Sequence, residues 1–240
     1  MEQNRFTNTA AAARPVTYDA GLRAHFLRVY NIMTFGLVLT GFTAFATSQI
    51  PAMVGFLDMM RGNMLTGMLL AFSPMFLLMF AFNPASINRF SANKLTIFFA
   101  LFSAYFGWLF STIFLAYTAE SIARVFFITA AMFAATSIYG YTTKRDLTSM
   151  GSFLFMGAVG LMIAIVVNMF LQSSMLHFAI SGIGVVLYTA MIAFDTQNIK
   201  QAYYQAGQFA SKAAVLGALS LYMNFIMLFQ FLMQFMGNRE

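Results

Sequence analysis

The stretch Ser181–Lys200, SGIGVVLYTAMIAFDTQNIK, carries a single carboxylate, Asp195, at the end of a long apolar run. Ionised carboxylates are costly in hydrocarbon. One placed there faces protein or water, takes a partner, and marks an ion or proton path by default. At helical spacing Ser181, Gly184, Tyr188 and Asp195 form one small, polar stripe amid Val, Leu, Ile, Met and Phe. The last apolar run offers a similar face: Gly217, Ser220, Asn224 and, farther on, Gln234. Two such stripes on consecutive antiparallel helices would meet in a buried polar seam. The plainer alternative leaves Asp195 solvated at the membrane surface beside Lys200.

Other chemistries find little support. His25 and His177 lie far apart in the chain and no Cys exists, so the ligand spacing of a zinc site is absent. The chain contains no G-x-S-x-G, no H-E-x-x-H, no pair of intramembrane aspartates and no Gly-rich phosphate loop. Seven acidic residues in all leave little for acid/base catalysis, and the expectation is a protein that is not an enzyme and holds no cofactor. Ser, Thr and an Asn such as Asn168 inside apolar runs bond their own helix or pin two helices together.

The elements that must position Asp195 follow from composition. Hydrophobic residues make up 60% of the chain and charged ones 8%, where an average soluble domain has about 25% charged. Thirty Phe and twenty Met are more apolar surface than 240 residues can hide from water, so a lipid bilayer must be the solvent. Seven runs have the length of about 20 residues that a spanning helix needs: 29–49, 64–82, 95–117, 121–141, 150–171, 177–199 and 213–236. The ten-residue alternation of a membrane β-barrel is missing. Pro74 falls inside the second run, where it should kink the helix or leave a carbonyl for a neighbour. Scattered glycines, including Gly36, Gly41, Gly157, Gly160, Gly184 and Gly217, point to close helix packing.

Residues 1–28 are polar and basic and read as a cytoplasmic tail, whose end alternates basic and apolar residues and suits the membrane surface. Residues 29–236 form the membrane domain and 237–240 a short C-terminal tail. The net charge of +6 is dispersed between apolar runs, which argues against nucleic acid. With the N-terminus inside, the inner segments hold Arg5, Arg14, Arg23, Arg28, Arg89, Lys94, Lys144, Arg145, Lys200 and Lys212. The outer segments hold Arg61, Arg124 and Arg239, an asymmetry that favours this orientation.

Three separated segments, YGYTTKRDL at Tyr139–Leu147, FDTQNIK at Phe194–Lys200 and GALSLYMNFIMLF in the last run, resemble the bacterial branch of the Bax inhibitor-1 family. The resemblance extends from about Arg23 to Arg239 with matching span count and loop order. It implies a seven-helix membrane bundle in which six helices surround a central one. It further implies a proton-sensitive pair of aspartates governing a calcium leak across a bacterial inner membrane. The first of the pair maps onto Asp195. The second falls at Asn224, since the family's L-Y-L-D-F-I-N-L-F here reads LYMNFIMLF.

That departure has physical consequences. Two adjacent carboxylates share a proton because both cannot cheaply ionise together, and an Asp facing an Asn lacks this term. Calcium prefers several hard oxygen ligands, so Asp195 with one Asn carbonyl makes a weak calcium site. The expectation is a passive cation leak, less calcium-selective than the family type, with Asp195 as its titratable group. Arg89 and Lys94, on the same side of the membrane, are possible charge partners, although solvated positive-inside charges explain both better. The rival reading is a non-conducting regulatory partner of an FtsH-type membrane protease, with residues 1–28 as the handle. A ligand-sensing receptor has only the helix count behind it.

Overall fold

The computed structural model describes residues 20–238, and the first 19 residues of the predicted tail lie outside them. The chain builds ten helices there: α1 (Ala20–Ser48), α2 (Pro51–Gly62), α3 (Met64–Ala81), α4 (Pro84–Arg89), α5 (Ala92–Phe110), α6 (Ile113–Ala116), α7 (Ala119–Thr142), α8 (Gly151–Leu171), α9 (Ser174–Ala206) and α10 (Ala210–Met236). No strand occurs among the described residues. Helix starts follow local chemistry. Ser91, Thr118 and Ser173 each accept a hydrogen bond from a backbone N–H in the first turn of α5, α7 and α9, satisfying a donor the helix cannot. Pro51 and Pro84 open α2 and α4, where the missing N–H costs nothing.

The helical segments differ from the apolar runs in several places, the short α4 between the second and third runs among them. The helix α1 begins at Ala20, nine residues ahead of the first run, and Leu22, His25 and Phe26 of the predicted surface segment are buried. Pro51–Gly62 is a helix absent from the run count, and it meets α3 at a sharp bend. The third run breaks into α5 and α6, because the Ser111 hydroxyl and backbone N–H both turn back onto the Trp108 carbonyl and tighten the last turn. Finally, α9 continues to Ala206 rather than ending at Ile199.

Pro74 remains within α3. It cannot donate to the Leu70 carbonyl one turn back, and the neighbouring Ser73 hydroxyl takes that acceptor at 2.6 Å. Ser73 also contacts the Tyr105 hydroxyl of α5 at 2.5 Å. The lost backbone bond thus becomes an interhelical tie.

Five stretches are long and apolar enough to cross a membrane: Ala20–Ser48, Ala92–Ala116, Ala119–Thr142, Thr148–Leu171 and Ser174–Met236. The last is the hairpin of α9 and α10, and the bent pair α2–α3 is a further candidate. Seven crossings therefore require the hairpin to count twice and the bent pair once. Large apolar side chains such as Phe42, Phe80, Phe127 and Phe153 point outward, as lipid contact demands.

The central element is α10. It packs against α1, α5, α7 and α9 and buries Val215, Leu221, Tyr222 and Leu228 completely. Gly207, with φ +48°, adopts a backbone conformation that L side chains rarely take and lets the chain reverse between α9 and α10. By contrast α8 packs chiefly along α9 and buries only Leu154 and Leu161.

Candidate functional site

The α9–α10 hairpin brings the two polar stripes together. Asp195 projects from α9, half-buried, toward α10. Its Oδ2 accepts from the Ser220 hydroxyl and, at 2.7 Å, from the Asn224 amide nitrogen. The Asn198 side chain also hydrogen-bonds the carboxyl. Ser220 and Asn224 are one turn apart on α10, so both reach the same oxygen. The partners of Asp195 are thus neutral donors, which can hold an ionised carboxylate without neutralising it.

Farther along the hairpin, Ser181 donates to the His177 carbonyl at 2.8 Å and to Gln234 Oε1 at 3.4 Å. Tyr188 stacks on Phe231 with ring centroids 5.6 Å apart and separates that polar pair from the Asp195 cluster. The predicted stripe is therefore one face with two polar ends and an aromatic middle. Arg89 closes α4, and Lys94 in the first turn of α5 sits 5.9 Å above the Phe90 ring. Neither is among the hydrogen-bond partners of Asp195.

The residues after Asp195 have partners of their own. Thr196 contacts Ser137 of α7 at 3.0 Å, and Ser137 contacts the Tyr30 hydroxyl of α1 at 2.6 Å. Gln197 clamps the segment after α7: its Oε1 accepts from the Leu147 amide at 2.7 Å and its Nε2 donates to the Arg145 carbonyl at 2.8 Å. Lys200 donates to the Tyr141 carbonyl at 3.2 Å and lies over that residue's ring. FDTQNIK and YGYTTKRDL are accordingly one structural unit, in which Gln197 and Lys200 fix the end of α7 against α9. Asp195 instead bonds across to Ser220 and Asn224 of α10.

Tyr222 and Thr40 escaped the sequence reading. Their hydroxyls meet at 2.7 Å between α10 and α1, and Thr40 also reaches the Gly36 and Ser103 carbonyls. Tyr222 lies two residues before Asn224, but its hydroxyl partner is 182 positions away and no spacing announces it. Among the described residues, no three His, Asp or Glu side chains gather as metal ligands. Asp195 with Ser220 and Asn224 suits transient contact with a passing cation better than a closed calcium cage, which takes six to eight oxygens.

An all-helical bundle whose long helices are apolar enough to cross a bilayer, with large apolar side chains turned outward, is the architecture of a polytopic membrane protein. The family model described as inhibitor of apoptosis-promoting Bax1 matches residues 22–240, and the chain belongs to the Bax inhibitor-1 family. A protein of Caulobacter vibrioides is 44% identical over 237 residues, covering 94% of this chain and 93% of the relative. The protein RP147 of Rickettsia prowazekii is 43% identical, covering 93% of each chain. The inner membrane protein YbhL of Escherichia coli K12 is 39% identical over 241 residues, covering 99% of this chain and all of the relative.

Proposed function

We propose that this chain is a passive cation leak of a bacterial inner membrane, with Asp195 at its control point and its N-terminus in the cytoplasm. The observation that carries this reading is a carboxylate held inside a membrane bundle by the neutral donors Ser220 and Asn224. A negative group so placed attracts cations and, being hydrogen-bonded rather than ion-paired, remains able to meet them. Calcium is the permeant ion the family resemblance suggests, as cargo and not as a resident cofactor. With Asn224 in place of a second acid, the path carries one negative charge fewer, and its calcium preference is correspondingly weaker.

The test is calcium entry into dye-loaded liposomes holding the purified full chain, compared with Asp195→Ala. Flux that the substitution alters supports the leak. Tight vesicles containing correctly folded protein overturn it. In that event the absence of the second acid favours the regulatory reading, as partner of an FtsH-type membrane protease. A pull-down that survives Asp195→Asn but fails when residues 1–19 are deleted distinguishes that role.

A further inference from the structure

A cavity of about 960 Å³ lies between α3, the α5–α6 break, α8, α9 and α10, with Tyr188 and Phe231 in its wall. Its size falls in the range of about 300–1,000 Å³ typical of ligand sites. The lining is mostly Leu, Ile, Met and Phe and includes no Asp, Glu, Lys or Arg. Polar groups collect at one end, where Asn168, His177, Gln230 and Gln234 line the wall. The Nε2 of His177 is buried there without a hydrogen-bond partner. A buried polar atom left unpaired in an apolar setting costs free energy, so a ligand group is the natural complement.

The cavity opens beside exposed apolar side chains, among them Met75 of α3 and Phe155 of α8. The helix α3 packs on α2 and α5, whereas α8 packs along α9, and the wedge between them has no packed seam. His177 lies in the first turn of α9, Asn168 near the end of α8 and Gln234 near the end of α10, so the polar end sits at one membrane boundary. From His177 to Tyr188 the helical rise gives a depth of about 16 Å. The polar groups are neutral, which fits an ester carbonyl rather than a phosphate or free carboxylate.

We propose that this cavity holds one acyl chain of a bilayer phospholipid. The chain enters between α3 and α8 and reaches Met223 and Met227 of the central helix. Its ester carbonyl accepts from His177 Nε2, in the tautomer that carries the proton there, and from the Gln230 or Gln234 amide. The site stands whether or not the Asp195 seam conducts.

The test uses the full chain in bilayers containing phosphatidylethanolamine with a photoactivatable group near the end of one acyl chain. Expected are adducts on Met223, Met227 and Phe231, which belong to the central helix, alongside adducts on outward residues of α8. Met227→Trp, or Ala158→Trp, which fills the space from the peripheral α8, should abolish the central adducts and leave the outward ones. Native mass spectrometry should find one phospholipid retained in detergent and lost in His177→Ala. Adducts confined to outward residues such as Phe153 and Ile163 overturn the proposal. So do central adducts that persist in both Trp variants, or a retained neutral lipid of another class in place of phospholipid.

Discussion

At the scale of the residue, the meeting of Asp195 with Ser220 and Asn224 was legible in the sequence, because helical spacing alone puts each on a polar face. Depth was the missing quantity: Asp195 reaches the level of Asn224 only if its helix runs to about Tyr203, and α9 runs to Ala206. The Gln197 clamp was not legible, since its partners are backbone groups of Arg145 and Leu147, about 50 positions away. Gln197→Ala leaves the buried Leu147 amide unsatisfied and should cost about 1–3 kcal/mol. Its visible effect should be faster tryptic cleavage after Lys144 and Arg145 in proteoliposomes, and unchanged cleavage would refute the clamp. Tyr222→Phe removes the bond to Thr40 and should lower stability by about 1 kcal/mol, read from thermal unfolding in detergent.

At the scale of the element, hydropathy found the apolar runs but neither the sharp α2–α3 bend nor the break at Ser111. The break depends on the Trp108 carbonyl finding a second partner in Ser111, which composition does not encode. The glycine pattern was only partly informative. A Cβ on Gly160 would meet open space, while one on Gly140 would lie 2.3 Å from the Ala193 carbonyl oxygen of α9. Gly140→Ala should therefore force α7 off α9 at a cost of about 1–3 kcal/mol, and Gly160→Ala should cost nothing. Equal melting temperatures for the two variants would contradict this packing. In the connection after α7, the exposed Asp146 accepts from the Thr148 side chain and backbone amide, which holds its carboxyl below the ordinary carboxylate range. A group depressed on folding contributes above its unfolded value of about 3.9 and loses that contribution as pH falls through its lower folded value. Hydrogen exchange at the Thr148 amide should accelerate relative to neighbouring amides only below that window, and Asp146→Asn should remove the step.

At the scale of the whole molecule, α10 is both the core of the bundle and the wall of its polar seam, so stability and the proposed conduction share one helix. That coupling explains why the sequence announced the seam and concealed the cavity. A polar stripe has a period, whereas empty space beside Met223 and Met227 depends on α3 and α8 packing on other helices rather than on each other. The central claim is that a single carboxylate, faced by an amide, controls a cation path. The most direct measurement is calcium flux into liposomes at about pH 6 and about pH 8 for the native chain and for Asn224→Asp. A second carboxylate at the Asn224 position would have to share a proton with Asp195. The account predicts a steeper pH dependence and a stronger calcium preference in the variant than in the native chain. Native flux that already depends steeply on pH, and that Asn224→Asp leaves unchanged, would contradict it.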